Sequence, residues 1–207
     1  MSELDRDGEG QRIPAIAWVL GGLFLCLAWA VTASRPAPGP VLLVYGDSIV
    51  VAKGASEPWP KRLGAAVDAV SGRALVDDHG AAQRIANERP VEAWIAIGTN
   101  DYGKSKATPA QFRKAYEALV DGIHAASPRT VIYAQTPLSR RAEGPNKLSA
   151  ALWEYRQAIV DVCAARRWLN CVDGRQILPL SDMPDGLHPG SDAQRRYATF
   201  VDMQINP

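Results

Sequence analysis

The chain has 207 residues, 47% of them apolar and 22% charged, with a formal net charge of +1. That is enough apolar material for one core, and it excludes a disordered polyelectrolyte, a collagen-like repeat and a multi-span membrane protein. There is no basic excess or stripe of the kind that binds nucleic acid, and three cysteines are too few for a disulfide scaffold or a zinc site.

Residues 1–12 form a short tail with more acid (Glu3, Asp5, Asp7, Glu9) than base (Arg6, Arg12). No charge then occurs for 22 positions, Ile13 to Ser34. A helix of that length crosses a hydrocarbon layer of about 30 Å, and Trp18 and Trp29 lie toward its two ends, where the membrane interface favours indole rings. The reading is a single membrane anchor over 13–34. A cleaved signal ending near Val31-Thr32-Ala33 is the alternative, and a buried soluble helix the third. Leu25 before Cys26 argues against a lipoprotein signal. Arg6 and Arg12 before the span balance Arg35 and Lys53 after it, so the positive-inside count does not orient it. The expectation is an extracytoplasmic domain, periplasmic or at the cell surface, or secreted if the signal is cleaved. Cys163 and Cys171 fit either a disulfide in an oxidising compartment or two buried thiols. Residues 35–40, Arg-Pro-Ala-Pro-Gly-Pro, form a stiff linker, and 41–207 form the folded domain.

Val41–Tyr45 is a continuous apolar run suited to a strand buried on both faces. Trp59–Val70 has helical spacing through Leu63, Ala66, Val67 and Val70. Ala74–Val76 is a short strand candidate and Val91–Ile97 a stronger one. Pro109–Ala126 is helical, Thr130–Ala134 a β-branched strand, Lys147–Arg167 a long helix, Leu169–Val172 a last strand and Ser191–Met203 a closing helix. This alternation predicts a three-layer α/β/α domain with a roughly five-stranded parallel sheet. In such sheets ligands bind beyond the carboxyl ends of the strands.

The residues at those ends are distinctive. Gly46-Asp47-Ser48-Ile49 follows the first strand, Asp78-His79-Gly80 the presumed second and Gly98-Thr99-Asn100-Asp101 the third; Asp185-Gly186-Leu187-His188-Pro189 precedes the last helix. A hydroxyl, an imidazole, a carboxylate and polar donors from four loops are what acyl transfer requires.

In this order the four blocks resemble the SGNH (GDSL-type) hydrolase family, over roughly residues 41 to 200. The resemblance implies a flavodoxin-like SGNH fold and a serine esterase without metal or organic cofactor. Ser48 would be the nucleophile, at the start of the helix after the first strand. His188 would be the general base and Asp185 its partner. Ser48, Gly80 and Asn100 would form the oxyanion hole. The second block departs from the family pattern, with Asp77, Asp78 and His79 crowding Gly80, so that His79 or Asp78 is expected beside substrate; Trp59 is a further candidate to line the pocket. No Gly-x-Ser-x-Gly elbow is present, which disfavours the larger α/β-hydrolase class.

Each residue also has a plainer reading: Ser48 as a helix cap, Asn100 or Gly80 as a turn residue, Asp185 and His188 as a loop ion pair. His124 reads as structural, and Asp77, Asp78 and His79 have poor spacing for a metal. The expected substrate is a small ester, with a short acyl group or an O-acetyl on a carbohydrate. An acyltransferase with the same triad, a lysophospholipase or thioesterase, and a non-catalytic anchored binding module are the alternatives.

Overall fold

The computed structural model describes residues 39–207. The proposed tail and the anchor over 13–34 lie outside the described residues. Among those described, no helix is long and apolar enough to cross a membrane.

Five strands form one parallel sheet: β1 (Leu42–Gly46), β2 (Ala66–Ala69), β3 (Glu92–Ala96), β4 (Val131–Gln135) and β5 (Leu169–Val172), in the order β2-β1-β3-β4-β5. Among the described residues six helices accompany them: α1 (Trp59–Arg62), α2 (Ala81–Glu88), α3 (Thr99–Gly103), α4 (Pro109–Ala126), α5 (Leu152–Ala164) and α6 (Ser191–Ile205). In register, Gly46 pairs with Ala69 and Ala96, Ala96 with Gln135, and Gln135 with Val172. The strands therefore end level, and the loops that follow them leave along one edge. The order turns back on itself at β1, with β2 on one side and β3 on the other, so the loops after β1 and β3 flank the crevice where ligands enter such sheets.

Alternation along β1 divides the core. Leu43 and Tyr45 face Ile85, Phe112, Tyr116, Tyr155 and Ile159 of α2, α4 and α5. Leu42 and Val44 face Trp59, Tyr197 and Val201 of α1 and α6. Both layers are buried, which is why β1 and β3 carry almost uninterrupted apolar runs. Gln135 links three elements inside the second layer, accepting from Trp94 Nε1 at 2.8 Å and from Tyr197 Oη at 2.6 Å. At the start of α4, Thr108 Oγ1 accepts from the Gln111 N–H and Gln111 Oε1 from the Thr108 N–H, with Pro109 first in the helix. Cys163 and Cys171 are joined as a disulfide with Cα atoms 5.9 Å apart, tying α5 to edge strand β5; this resolves the two readings left open above.

Three elements differ from expectation. The helix over 59–70 stops after one turn, because Gly64 takes a left-handed φ of +64° and Ala66–Ala69 then pairs with β1. With two alanines and an aspartate, that strand has little β propensity and its apolar residues mimic a helical stripe. The strand expected at 74–76 is a 3₁₀ turn, Leu75–Asp77, because the Leu75 and Val76 N–H groups donate to the Asp101 carboxylate rather than to a ladder. The helix from Lys147 begins at Leu152 instead: Asn146 Oδ1 accepts from the Leu148 and Ala150 N–H groups, turning the chain through Ser149 at φ +57°.

Candidate active site

The Gly-Asp-Ser-Ile block leaves β1 as a run of turns rather than a helix, so Ser48 does not cap a regular helix as expected. Local bonds hold it instead. Asp47 Oδ1 accepts from the Ile49 N–H at 3.0 Å, the Val51 N–H donates to Asp47 O and the Lys53 N–H to Ser48 O. Gly46 is tightly enclosed: a Cβ there would lie 2.3 Å from Val50 Cγ2 and 2.7 Å from Ala96 O.

Ser48 Oγ lies 2.9 Å from His188 Nε2, although 140 positions separate the two residues. His188 Nδ1 lies 2.6 Å from Asp185 Oδ2. The other Asp185 oxygen accepts from the Leu187 and His188 N–H groups at 2.8 and 2.7 Å. His188 and these two backbone donors hold the Asp185 carboxyl well below the ordinary carboxylate range, with the His188 side-chain bond the largest cause. An ionised carboxylate only accepts, so Nδ1 carries the proton and the Nε2 lone pair faces the Ser48 hydroxyl. The loop closes through Gly186 at φ +79°, where a Cβ would meet the Arg141 side chain at 2.8 Å, and the Arg141 N–H donates to Gly186 O.

Asn100, in the first turn of α3, donates from Nδ2 to Asp47 Oδ2 at 3.0 Å. Asp47 is 1% exposed. Burial raises its carboxyl to about 6, against the lowering effects of the Ile49 N–H, the Asn100 amide and His188. Above that pH the carboxylate accepts only, which turns the Asn100 amino group, not its oxygen, toward Asp47 and the strand end bearing Ser48. One N–H is used there and the second is free for a ligand. Asp101 in the same turn is wholly buried and binds the 3₁₀ turn, as noted.

The remaining candidates are placed differently. Trp59 does not line a pocket: it is fully buried, stacked on Tyr197 at 4.5 Å and edge-on to Trp94 at 6.4 Å. Flanked by two prolines after the Ser48 block it reads as a pocket candidate, but its area is better buried under β1. His79 is exposed and borders a shallow cavity of about 140 Å³ between Leu75, Ala82 and Leu119, a lining that includes none of Ser48, Asn100 and His188. Asp78 is occupied by Arg84 at 2.7 and 2.8 Å, by Tyr45 Oη at 3.0 Å and by Arg73.

Gly80 caps α2, with Arg84 beside it; it does not follow a strand. The residues that leave β2 are Val70-Ser71-Gly72. The Val70 N–H donates to Gly46 O, and Lys104 Nζ donates to Gly72 O at 2.7 Å. That segment is thus held between the strand end bearing Ser48 and the helix bearing Asn100. Gly72 stands in that segment at φ +83°, and the Ser71-Gly72 pair after a weak apolar run is the local signal of a strand exit there. His124 stacks flat on Trp168 at 4.0 Å, the structural place expected.

A parallel sheet between two helical layers thus brings Ser48, His188 and Asp185 into bonding contact beyond its carboxyl edge. The sequence signature described as GDSL-like lipase/acylhydrolase matches residues 44–196, and the chain belongs to that family. Among curated proteins none matches the chain. Among solved structures, a GDSL-like lipase from Bacteroides thetaiotaomicron is similar with a TM-score of 0.65 and 14% identity, covering 86% of this chain and 96% of that one. A carbohydrate esterase family 3 protein from Talaromyces cellulolyticus gives 0.61 and 15%, covering 79% and 95%. A salicylyl-acyltransferase from a tetracycline biosynthetic pathway gives 0.65 and 19%, covering 83% of this chain and 55% of that one. At these identities the likeness is one of fold.

Proposed function

We propose that the chain is a serine esterase that removes a small acyl group, such as acetyl, from a carbohydrate or similar alcohol. The observation that carries this reading is the Ser48 Oγ–His188 Nε2–Asp185 chain at 2.9 and 2.6 Å. Ser48 Oγ attacks the ester carbonyl while its proton passes to His188 Nε2. The imidazolium then protonates the departing alcohol oxygen as the tetrahedral intermediate collapses to acyl-Ser48. Water attacks the acyl carbon, gives a proton to His188, and the second collapse restores Ser48 and releases the acid. The oxyanion is held by the Ser48 N–H, the free N–H of Asn100 and the backbone of Gly72, which takes the role expected of Gly80. Asp185 orients His188 and stabilises its cation. No step needs a metal or organic cofactor.

Ser48→Ala should abolish hydrolysis of p-nitrophenyl acetate while the circular dichroism spectrum stays native; retained turnover would place the nucleophile elsewhere. The same acyl-enzyme serves an acyltransferase when a glycan hydroxyl replaces water, and the likeness to a salicylyl-acyltransferase keeps that second reading. Quantifying free acid against transferred ester with an added acceptor separates the two. We also propose that residues 13–34 anchor the enzyme, with the domain on the extracytoplasmic side.

A further inference from the structure

Beside α3, opposite the loop from Thr136 to Ala151, lies a cavity of about 510 Å³. Its lining includes three cationic side chains, Lys104, Arg140 and Lys147, and no acidic one. Among the described residues none of the three forms an ion pair. The acid near Arg140 in sequence is Glu143, which accepts from the Arg140 backbone N–H at 2.9 Å, while the Arg156 guanidinium bonds both of its oxygens, at 2.8 and 2.9 Å. Three like charges around one hollow attract an anion that enters it.

The cavity is built rather than incidental. The Arg140 guanidinium sits 5.3 Å from the Tyr102 ring centroid, and its Nε is buried without a hydrogen-bond partner. Gly103 leaves room for it: a Cβ there would lie 2.6 Å from Arg140 Nη1. The Tyr102 hydroxyl bonds Ala142 O and Gly144 O, and Asn146 Nδ2 donates to Tyr102 O, so the floor is braced to the loop. Lys104 spends one of its three protons on Gly72 O and keeps two for a ligand.

Backbone continuity joins the cavity to the catalytic groups on two sides. The Lys104 N–H donates to Asn100 O at 3.0 Å, and Arg141, next to Arg140, donates its N–H to Gly186 O in the Asp185–His188 loop at 2.8 Å. The cavity thus adjoins the short helix that carries Asn100 and the segment bonded to the Asp185–His188 loop, although its lining contains none of the catalytic residues.

We propose that the cavity binds an oxyanionic group, a carboxylate or a phosphate, on the molecule whose ester is cleaved at Ser48, so that the substrate is an acylated acidic compound such as a uronic acid or a phosphorylated sugar. This rests on the esterase reading above. Arg140 supplies a planar fork for such a group and the two lysines supply point charges.

The test uses the full chain in detergent carrying Ser48→Ala, titrated with glucuronate, glucose 6-phosphate and glucose by NMR. Because binding is read without turnover, its outcome is independent of whether the chain hydrolyses esters. At least one of the two acids should bind and glucose should not, and the tighter acid identifies the anion. Arg140→Gln and Lys147→Gln should each weaken that binding about tenfold, whereas Lys114→Gln, on the exposed side of α4, should not. Equal binding of glucose, no binding of either acid, or binding unaffected by both variants would overturn the proposal. In the active chain, the ratio of kcat/KM for acetylated glucuronate over acetylated glucose should exceed one and fall in the Arg140 and Lys147 variants if carboxylate is the anion preferred.

Discussion

Asn100 and Asp47 act as a pair across the crevice between β1 and β3. Asn100→Ala should lower kcat by roughly 10²–10³ with little change in KM, the range for one lost oxyanion donor; an effect confined to KM, measured with p-nitrophenyl acetate, would make the amide a binding group instead. Asp47 has a second signature. Its folded carboxyl titrates near 6, raised chiefly by burial, while an unfolded aspartate titrates near 4. Between those values the unfolded chain binds fewer protons at this residue than the folded one, so its contribution to stability falls as pH rises, by about 3 kcal/mol in all. The carboxylates that are lowered, Asp78, Asp121, Glu143, Asp173 and Asp185, act in the opposite sense and below their ordinary range, whereas Asp101 and Glu92, also raised by burial, act in the same sense as Asp47, so its share is the difference between the parent and a variant. In Asp47→Asn, which keeps one of the two acceptor bonds, that part of the pH dependence should vanish. Chemical denaturation of both proteins at pH 4.5 and 7 gives the comparison, and identical slopes would remove Asp47 as the cause.

The elements that decide the site are its weakest ones. β2 spans four residues at the sheet edge, yet its position decides which glycine follows the second strand, Gly72 rather than Gly80. Gly72→Ala should reduce kcat sharply, since its φ of +83° disfavours any side chain and a Cβ would lie 2.6 Å from Lys104 Nζ. Gly80→Ala should be tolerated, since its φ is −97° and the nearest atom is the flexible end of Arg84. The reverse ranking in esterase assays, with both variants folded, would return the oxyanion role to Gly80. α3 is one turn long, but its three central side chains face three ways: Asn100 toward Asp47, Asp101 toward the 3₁₀ turn and Tyr102 toward the cationic cavity. One short helix thus connects catalysis, the β2 exit loop and the proposed anion site.

Taken as a whole, the molecule gathers its chemistry at one edge because five parallel strands end level. An uncleaved anchor over 13–34 would keep the enzyme in carbonate-washed membranes at its full-length mass, whereas a cleaved signal would release a chain beginning near residue 34; membrane fractionation with intact-mass measurement distinguishes these outcomes.

Composition and alternation were sufficient for a three-layer α/β domain, and β1, β3, β4, β5, α4 and α6 are legible to within two residues because strong periodicity coincides with burial. Ser48, Asn100, Asp185 and His188 were legible because each stands at the end of a well-marked element, in a block whose residue types have a joint chemical use. Trp59, Gly72, β2 and the hollow around Arg140 were not. A four-residue edge strand takes its identity from pairing with β1 rather than from propensity, and an indole between prolines is assigned to core or pocket only by what packs on it. Three cations separated by up to 43 positions become one site only when a sixteen-residue loop folds back over α3. Local sequence encodes the preferences of neighbours along the chain; long-range contacts alone decide which loops meet.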